Sequence, residues 1–251
     1  MANIRVESVT KRFRGKAGED MLALDRVDVS VSDGDFLCLL GPSGCGKSTL
    51  LNMIAGFEYP TTGTVSVDGD IVSGPGADRG MVFQQATLMP WLNVWENVAF
   101  HARLKGVGRR AQREQAQPFI EMVGLAGFEN HLPAQLSGGM RQRVGIARVL
   151  LMNPRVILMD EPFGALDEQT KMQMQAELTR IWEVSGATIV FVTHGIDEAL
   201  TLGTHVAVMS ARPGRIAEFM SVELPRPRDI TSMAFNNMKR HVLSLLSARE
   251  S

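Results

Sequence analysis

The segment Gly41-Pro42-Ser43-Gly44-Cys45-Gly46-Lys47-Ser48-Thr49 fits G-x-x-x-x-G-K-[ST], the pattern of a loop built to hold a phosphate chain. Its glycines let the backbone curl so that successive N–H groups face one anion, and a helix start adds its positive partial charge. Lys47 is expected to reach the outer phosphates, and the Ser48 hydroxyl to bind Mg²⁺. A second feature supplies what such a loop needs. The apolar run Val156-Ile157-Leu158-Met159 ends in Asp160-Glu161, which places carboxylates at a strand's C-terminal end, where ligands of open α/β sheets gather. Asp160 is expected to bind Mg²⁺ through water. Glu161 is expected to point elsewhere because side chains alternate along a strand, and so to orient or deprotonate an attacking water. Without the phosphate loop, the same pair would read equally well as two solvated carboxylates. A third feature, Leu136-Ser137-Gly138-Gly139-Met140, combines an N-cap serine with two glycines and opens a second helix start suited to an anion. The two anion-binding starts lie in different parts of the chain, so they could meet between two molecules.

The elements that must position these residues show in the hydrophobic pattern. Ile4, Val6 and Val9, then Val27, Val29 and Val31, then Val65 and Val67 recur at mostly two-residue spacing, with turn signals at Asp33-Gly34 and Asp68-Gly69. This predicts an antiparallel sheet. Residues 36–40, Phe-Leu-Cys-Leu-Leu, are apolar on both faces, as a buried parallel strand is, and run straight into the phosphate loop. A helix is expected over 47–55, ending at Gly56. Between 91 and 151 helical signals dominate: helices are expected over 93–100 and 110–123, and a third from the Ser137 cap to about 151. Buried strands return at 156–159 and 187–193, separated by a polar helix over 168–184, the strand–helix–strand rhythm of a parallel sheet. A hairpin over 206–224 then leads past Pro225 and Pro227 to an amphipathic helix over 232–246.

Composition excludes several classes. The 251 residues carry 26 Lys and Arg against 27 Asp and Glu, a net charge of -1, so no broad positive surface recruits nucleic acid. The longest apolar runs fall far below the ~18 residues of a membrane-spanning helix. The start Met1-Ala2-Asn3-Ile4 lacks the plan of a secretory signal, which leads one to expect a cytosolic protein. Cys38 and Cys45 are expected to be reduced thiols, and no Cys/His spacing suggests zinc.

The ordered set of motifs resembles the nucleotide-binding subunits of ATP-binding-cassette (ABC) transporters across nearly the whole chain. It comprises the phosphate loop, Gln84 in Val82-Phe83-Gln84, Leu136 to Met140, Asp160-Glu161, Ala165-Leu166-Asp167, and His194 in Val192-Thr193-His194. The resemblance implies an α/β fold: a P-loop (RecA-like) core with an N-terminal antiparallel β subdomain and an inserted helical subdomain. The expected ABC ATPase domain spans 1–223, with the β subdomain and core over about 1–90 and 152–223 and the helical part over about 91–151. Residues 224–251 would form a C-terminal helical extension. Implied ligands are ATP and Mg²⁺, the metal held by Ser48, Gln84 and Asp160. Glu161, His194 and Gln84 would be catalytic. Gly41 to Thr49, Ser137, Gly138, Gly139, Asp167 and Phe13 would contact nucleotide, with Phe13 stacking on adenine.

Each of these has a plainer alternative. Gln84 can be one polar residue after a strand, His194 a structural histidine, Asp167 a helix cap, and Phe13 a packing residue. Two positions depart from the family's common pattern: Met140 where Gln is usual, and Gly195 where Asp is usual, the latter expected to loosen the histidine's loop.

The implied assembly is a head-to-tail pair, either a homodimer or a pairing with a paralogous cassette, with two ATP molecules at its interface. It would sit peripherally on the cytoplasmic face of the inner membrane, against integral permease subunits. An extracytoplasmic solute-binding protein would belong to the complex without touching this subunit, and nucleic acid would have no place in it. The apolar loop 86–92 suits a docking surface for a membrane partner, with core packing as the alternative. The basic residues Arg103, Lys105, Arg109, Arg110 and Arg113 suit a solvated helix face. Residues 88–92, 93–98 and 209–216 resemble the nitrate/sulfonate/taurine subgroup of bacterial importers, with the cargo left open. Two other outputs stand as alternatives: an ABC-type ATPase of DNA repair or translation, and an ATP-gated regulatory subunit. Alkylation of Cys45 is expected to block ATP binding.

Overall fold

A computed structural model describes residues 2–14 and 20–247. In chain order the elements are β1 (Ile4–Arg14), β2 (Asp20–Val31), β3 (Phe36–Leu40), α1 (Lys47–Ala55), β4 (Thr62–Val67), β5 (Asp70–Ile71) and β6 (Arg79–Val82). Then follow α2 (Val94–Val98), α3 (Phe100–Leu104), α4 (Arg109–Met122), α5 (Gly138–Met152), β7 (Val156–Asp160) and α6 (Glu168–Ser185). The chain closes with β8 (Thr188–Thr193), α7 (Ile196–Leu202), β9 (His205–Ser210), β10 (Arg215–Ser221) and α8 (Met233–Ser247). They form two compact units: Met1–Gly76 with Gly186–Ser251, and Ala77–Ser185.

The first unit holds two kinds of sheet. In β2-β1-β4-β5 all pairings are antiparallel, and Ile4, Val6, Val27, Val29 and Val31 turn inward while Arg5 and Asp28 face out. The three-residue step from Val6 to Val9 that breaks the alternation is a bulge: Ser8 has φ 49°, and the register shifts there against both neighbours. Asp68 and Gly69, at φ 55° and 89°, close the β4–β5 hairpin as a two-residue turn of primed type. The other sheet runs β10-β9-β3-β8. β3 pairs in parallel with both β8 and β9, and all five of its residues are buried, as its two-faced apolar composition predicts. The expected hairpin over 206–224 is the antiparallel pair β9–β10.

In the second unit β6 and β7 form a parallel pair, with α2 to α5 packed as a helical group. The single helix expected over 93–100 is two short ones that meet at Ala99, whose ψ of 5° departs from helical geometry. Its start is capped from both directions. The Asn93 side chain accepts from the Glu96 N–H at 3.0 Å, and the Asn93 N–H donates to Glu96 Oε2 at 3.2 Å, a reciprocal capping box.

Candidate functional site

The phosphate loop lies in the first unit, where β3 delivers Gly41 and α1 begins at Lys47. Gly44 and Gly46 sit at φ 78° and 93°, conformations that favour glycine. Packing adds a second reason for two glycines. A Cβ on Gly41 would lie 2.6 Å from the Met209 carbonyl oxygen, and one on Gly46 would lie 2.5 Å from Leu24 Cδ2. The loop is therefore seated tightly on β2 and β9. Lys47 is only 6 % exposed, and its ammonium donates to the loop's own carbonyls, Gly41 at 2.7 Å and Pro42 at 3.0 Å. Those bonds satisfy the buried ammonium. Ser43, Gly44 and Ser48 face solvent, with Pro42, Gly46 and Thr49 half-buried. Cys45 is fully buried under the loop, and burial raises its thiol pKa against the opposing influence of Lys47. A reagent aimed at Cys45 thus meets a shielded, protonated thiol.

In the same unit Phe13 is half-buried on β1, outside the fully buried core, with Lys11 Nζ 4.8 Å from its ring centroid. Lys11 is itself fixed by Glu58 at 2.5 Å and the Tyr59 carbonyl at 2.8 Å. His194 is exposed at the end of β8. Buried Thr193 ties down its turn: the Thr193 hydroxyl donates to Glu198 and accepts from the Gly195 N–H at 2.9 Å. Gly195 has φ −88° and ψ 116°, a conformation open to any residue, so this turn does not require glycine.

In the second unit Asp160 closes β7 at 9 % exposure, followed by half-buried Glu161. Strand alternation does not orient Glu161. Its φ is 44°, so the chain has already left the strand, and the left-handed turn re-aims the carboxylate. Gln84 Nε2 donates to Glu161 Oε2 at 3.1 Å. Ser137 caps α5, its hydroxyl accepting from the Met140 N–H at 3.2 Å, and Ser137 and Gly138 are exposed. A Cβ on Gly139 would lie 3.0 Å from the Ala165 carbonyl oxygen, which seats the helix start against the chain leading to Asp167. Asp167 receives the Thr170 N–H at 2.9 Å and hydroxyl at 2.7 Å, and these bonds lower its pKa. Within the chain, then, Asp167 serves as a cap of α6.

Three polar residues that sequence reasoning missed hold the stretch after β6. Gln142 Nε2 donates to the Phe83 carbonyl at 2.9 Å, beside Gln84. Arg148 Nη1 donates to the Thr87 carbonyl at 2.9 Å. Asn97, with no exposed surface, donates to the carbonyls of Met89, Leu92 and Asn93 and accepts from the Met89 N–H at 2.9 Å. A usable signal existed in Gln142, a polar residue four before the buried Ile146 on one face of α5. So pinned, the apolar loop divides: Leu92 joins the core, while Trp91 is 71 % exposed. Among the expected basic face, Arg109 pairs with Glu96 at 3.1 Å and lies over the Trp95 ring, and Arg110 pairs with Glu114 at 2.9 Å.

Residues 24–164 match the family model described as ABC transporter. This chain belongs to that family. The cassette is 49 % identical to a taurine import ATP-binding protein of Burkholderia pseudomallei, over 90 % of the cassette and 86 % of the relative. It is 42 % identical to a nitrate import ATP-binding protein of Synechocystis, over 99 % and 96 %. A solved ATP-binding cassette, a dimer in a post-hydrolysis state with ADP and Pi, superposes with a TM-score of 0.79 at 35 % identity, over 88 % of this chain and 99 % of that one. The fold is that of the P-loop ABC ATPases, and the cassette is an ATPase that binds ATP. Among the described residues no helix is long and apolar enough to cross a membrane.

Proposed function

We propose that this cassette powers uptake of a small solute of the nitrate, sulfonate or taurine class by closing as an ATP-sandwiching dimer against membrane permease subunits. The observation that carries this reading is the bond between Gln84 and Glu161. It links the residue just before the 86–92 loop, with its outward Trp91, to the carboxylate that we assign to activating water. Relatives named for taurine and nitrate import favour transport over a repair, translation or purely regulatory role.

In this mechanism Lys47 exchanges the carbonyls of Gly41 and Pro42 for the β- and γ-phosphates, and the amides of 41–49 complete the cradle. Phe13 stacks on adenine. Ser48, Gln84 and Asp160 offer a hydroxyl, an amide and a carboxylate, hard oxygen donors that fit Mg²⁺, which when bound neutralises phosphate charge. Ser137, Gly138 and Gly139 of a second cassette, identical or paralogous, grip the γ-phosphate from the other side, and Asp167 connects the two sites. Glu161 takes a proton from the attacking water, Gln84 orients that water, and His194 holds the γ-phosphate. Once the phosphates separate, the two cassettes part, and the permease reads the difference between the states. Residues 91–151 act as the helical subdomain that meets the permease, and 224–251 as an extension of the ATPase domain of 1–223. The assembly sits on the cytoplasmic face of the membrane, with a solute-binding protein on the far side.

Isolation of the cassette from membranes, with mass spectrometry of co-purifying chains, tests the reading. Integral permease chains should accompany it, and deletion of the cassette should abolish uptake of labelled taurine, a sulfonate or nitrate. Recovery free of any membrane chain, with uptake of all three intact, would refute it.

A further inference from the structure

Helix α7 begins at Ile196, two residues after His194, and the C-terminal segment holds it at both ends. The carbonyls of its last turn have no partners inside the helix and carry the negative end of its dipole. Two arginines meet them. Arg228 donates through Nη1 to Leu200 at 2.8 Å, Thr201 at 3.1 Å and Gly203 at 2.6 Å, and its other nitrogens reach Val222 at 2.9 Å and Leu224 at 3.4 Å. Arg226 donates to Thr201 at 3.2 Å and to Leu202. Burial, followed by repulsion from Arg226, pushes the Arg228 pKa down to about 10. At the other end, Lys239 of α8 pairs with Asp197 at 2.7 Å in the first turn of α7, and Phe235 and Val242 of α8 are buried.

Midway along α7 sits Glu198, a buried carboxylate. It receives the Thr193 hydroxyl, whose oxygen in turn accepts the Gly195 N–H, so its contacts bracket His194 on both sides. Two guanidinium groups aimed at carbonyls are costly to bury, and they offset the dipole of α7.

We propose that Arg228, assisted by Arg226, is a positioning residue for hydrolysis: it locks α7 in place so that Glu198, acting through Thr193, fixes the turn that presents His194. The C-terminal extension thereby becomes part of the catalytic support. The proposal rests on the role given above to His194.

The test uses the full chain with histidine-selective isotope labelling; among five histidines, the His194 imidazole signal is assigned from its loss in His194→Gln. Arg228→Met should leave ATP affinity unchanged, shift or broaden the His194 signal, and lower kcat by at least about tenfold, since small misplacements are costly. Arg228→Lys should recover part of both effects. Glu198→Gln should move the same signal, and it decides the matter should Arg228→Met not fold. An unmoved His194 signal in a folded Arg228→Met protein, or in Glu198→Gln if that variant alone folds, overturns the proposal whatever the rate. Normal turnover by His194→Gln would instead sink the role of His194 and with it the hydrolytic role of Arg228, while a moved His194 signal would still show that Arg228 fixes the turn.

Discussion

Gln84 and Glu161 are 77 positions apart, yet the amide of one donates to the carboxylate of the other at 3.1 Å. The contact joins the residue leaving β6 to the residue leaving β7, two parallel neighbours whose C-terminal ends face the same way. Glu161→Gln keeps the shape and removes the base. ATP binding should persist while phosphate release falls by about 10²- to 10⁴-fold. Parallel measurement of nucleotide affinity and steady-state turnover checks this, and turnover at the parent rate would remove Glu161 from the role.

Gly214 has no side chain because the phosphate loop leaves no room for one. A Cβ there would lie 2.0 Å from the Cys45 carbonyl oxygen, while backbone bonds to Ala23 at 2.9 Å and from Asp25 at 3.0 Å prevent retreat. Gly214→Ala should push the loop from below and weaken ATP binding by about tenfold or more, as displaced binding groups do. Gly145 is the contrast. It lies within α5, where a Cβ meets nothing within 4 Å, so Gly145→Ala should stabilise the protein by about 0.5–1 kcal/mol and leave ATP affinity alone. Titration calorimetry and thermal melting separate the two outcomes.

Asn97 spends its whole amide on backbone, three donations and one acceptance within the 89–93 stretch. Asn97→Ala strands the Met89 N–H and the Leu92 carbonyl, at a cost of about 2–3 kcal/mol. Urea unfolding should show that loss. A destabilisation below about 0.5 kcal/mol would mean that water replaces the amide.

Cys45 combines full burial with a raised thiol pKa, and the thiolate is the reactive form. Alkylation of the folded protein by iodoacetamide at neutral pH should be slow. It should accelerate in denaturant to the rate of an ordinary exposed thiol. Rapid labelling of the native chain, located by peptide mapping, would contradict the packing of the loop.

Much of this architecture could be read directly from residue order. Two-residue alternation marked β1, β2 and β4, and an unbroken apolar run marked β3. The glycine and lysine spacing marked the phosphate loop and the helix from Lys47 to Ala55. These features are local, since the backbone period and the side-chain sequence suffice to specify them. Orientation was another matter. Strand alternation was the expected reason for the direction of Glu161, yet its φ of 44° puts it in a left-handed turn beyond the end of β7.

What only the tertiary structure decided are the contacts of residues far apart in the chain. Gly214 lies under Cys45, Gln142 holds Phe83, and Arg228 caps a helix that ended 26 residues earlier at Leu202. A polar residue's type says only that it needs a partner. Which donor meets which carbonyl is settled when packing brings distant segments together and burial makes every unmatched group costly.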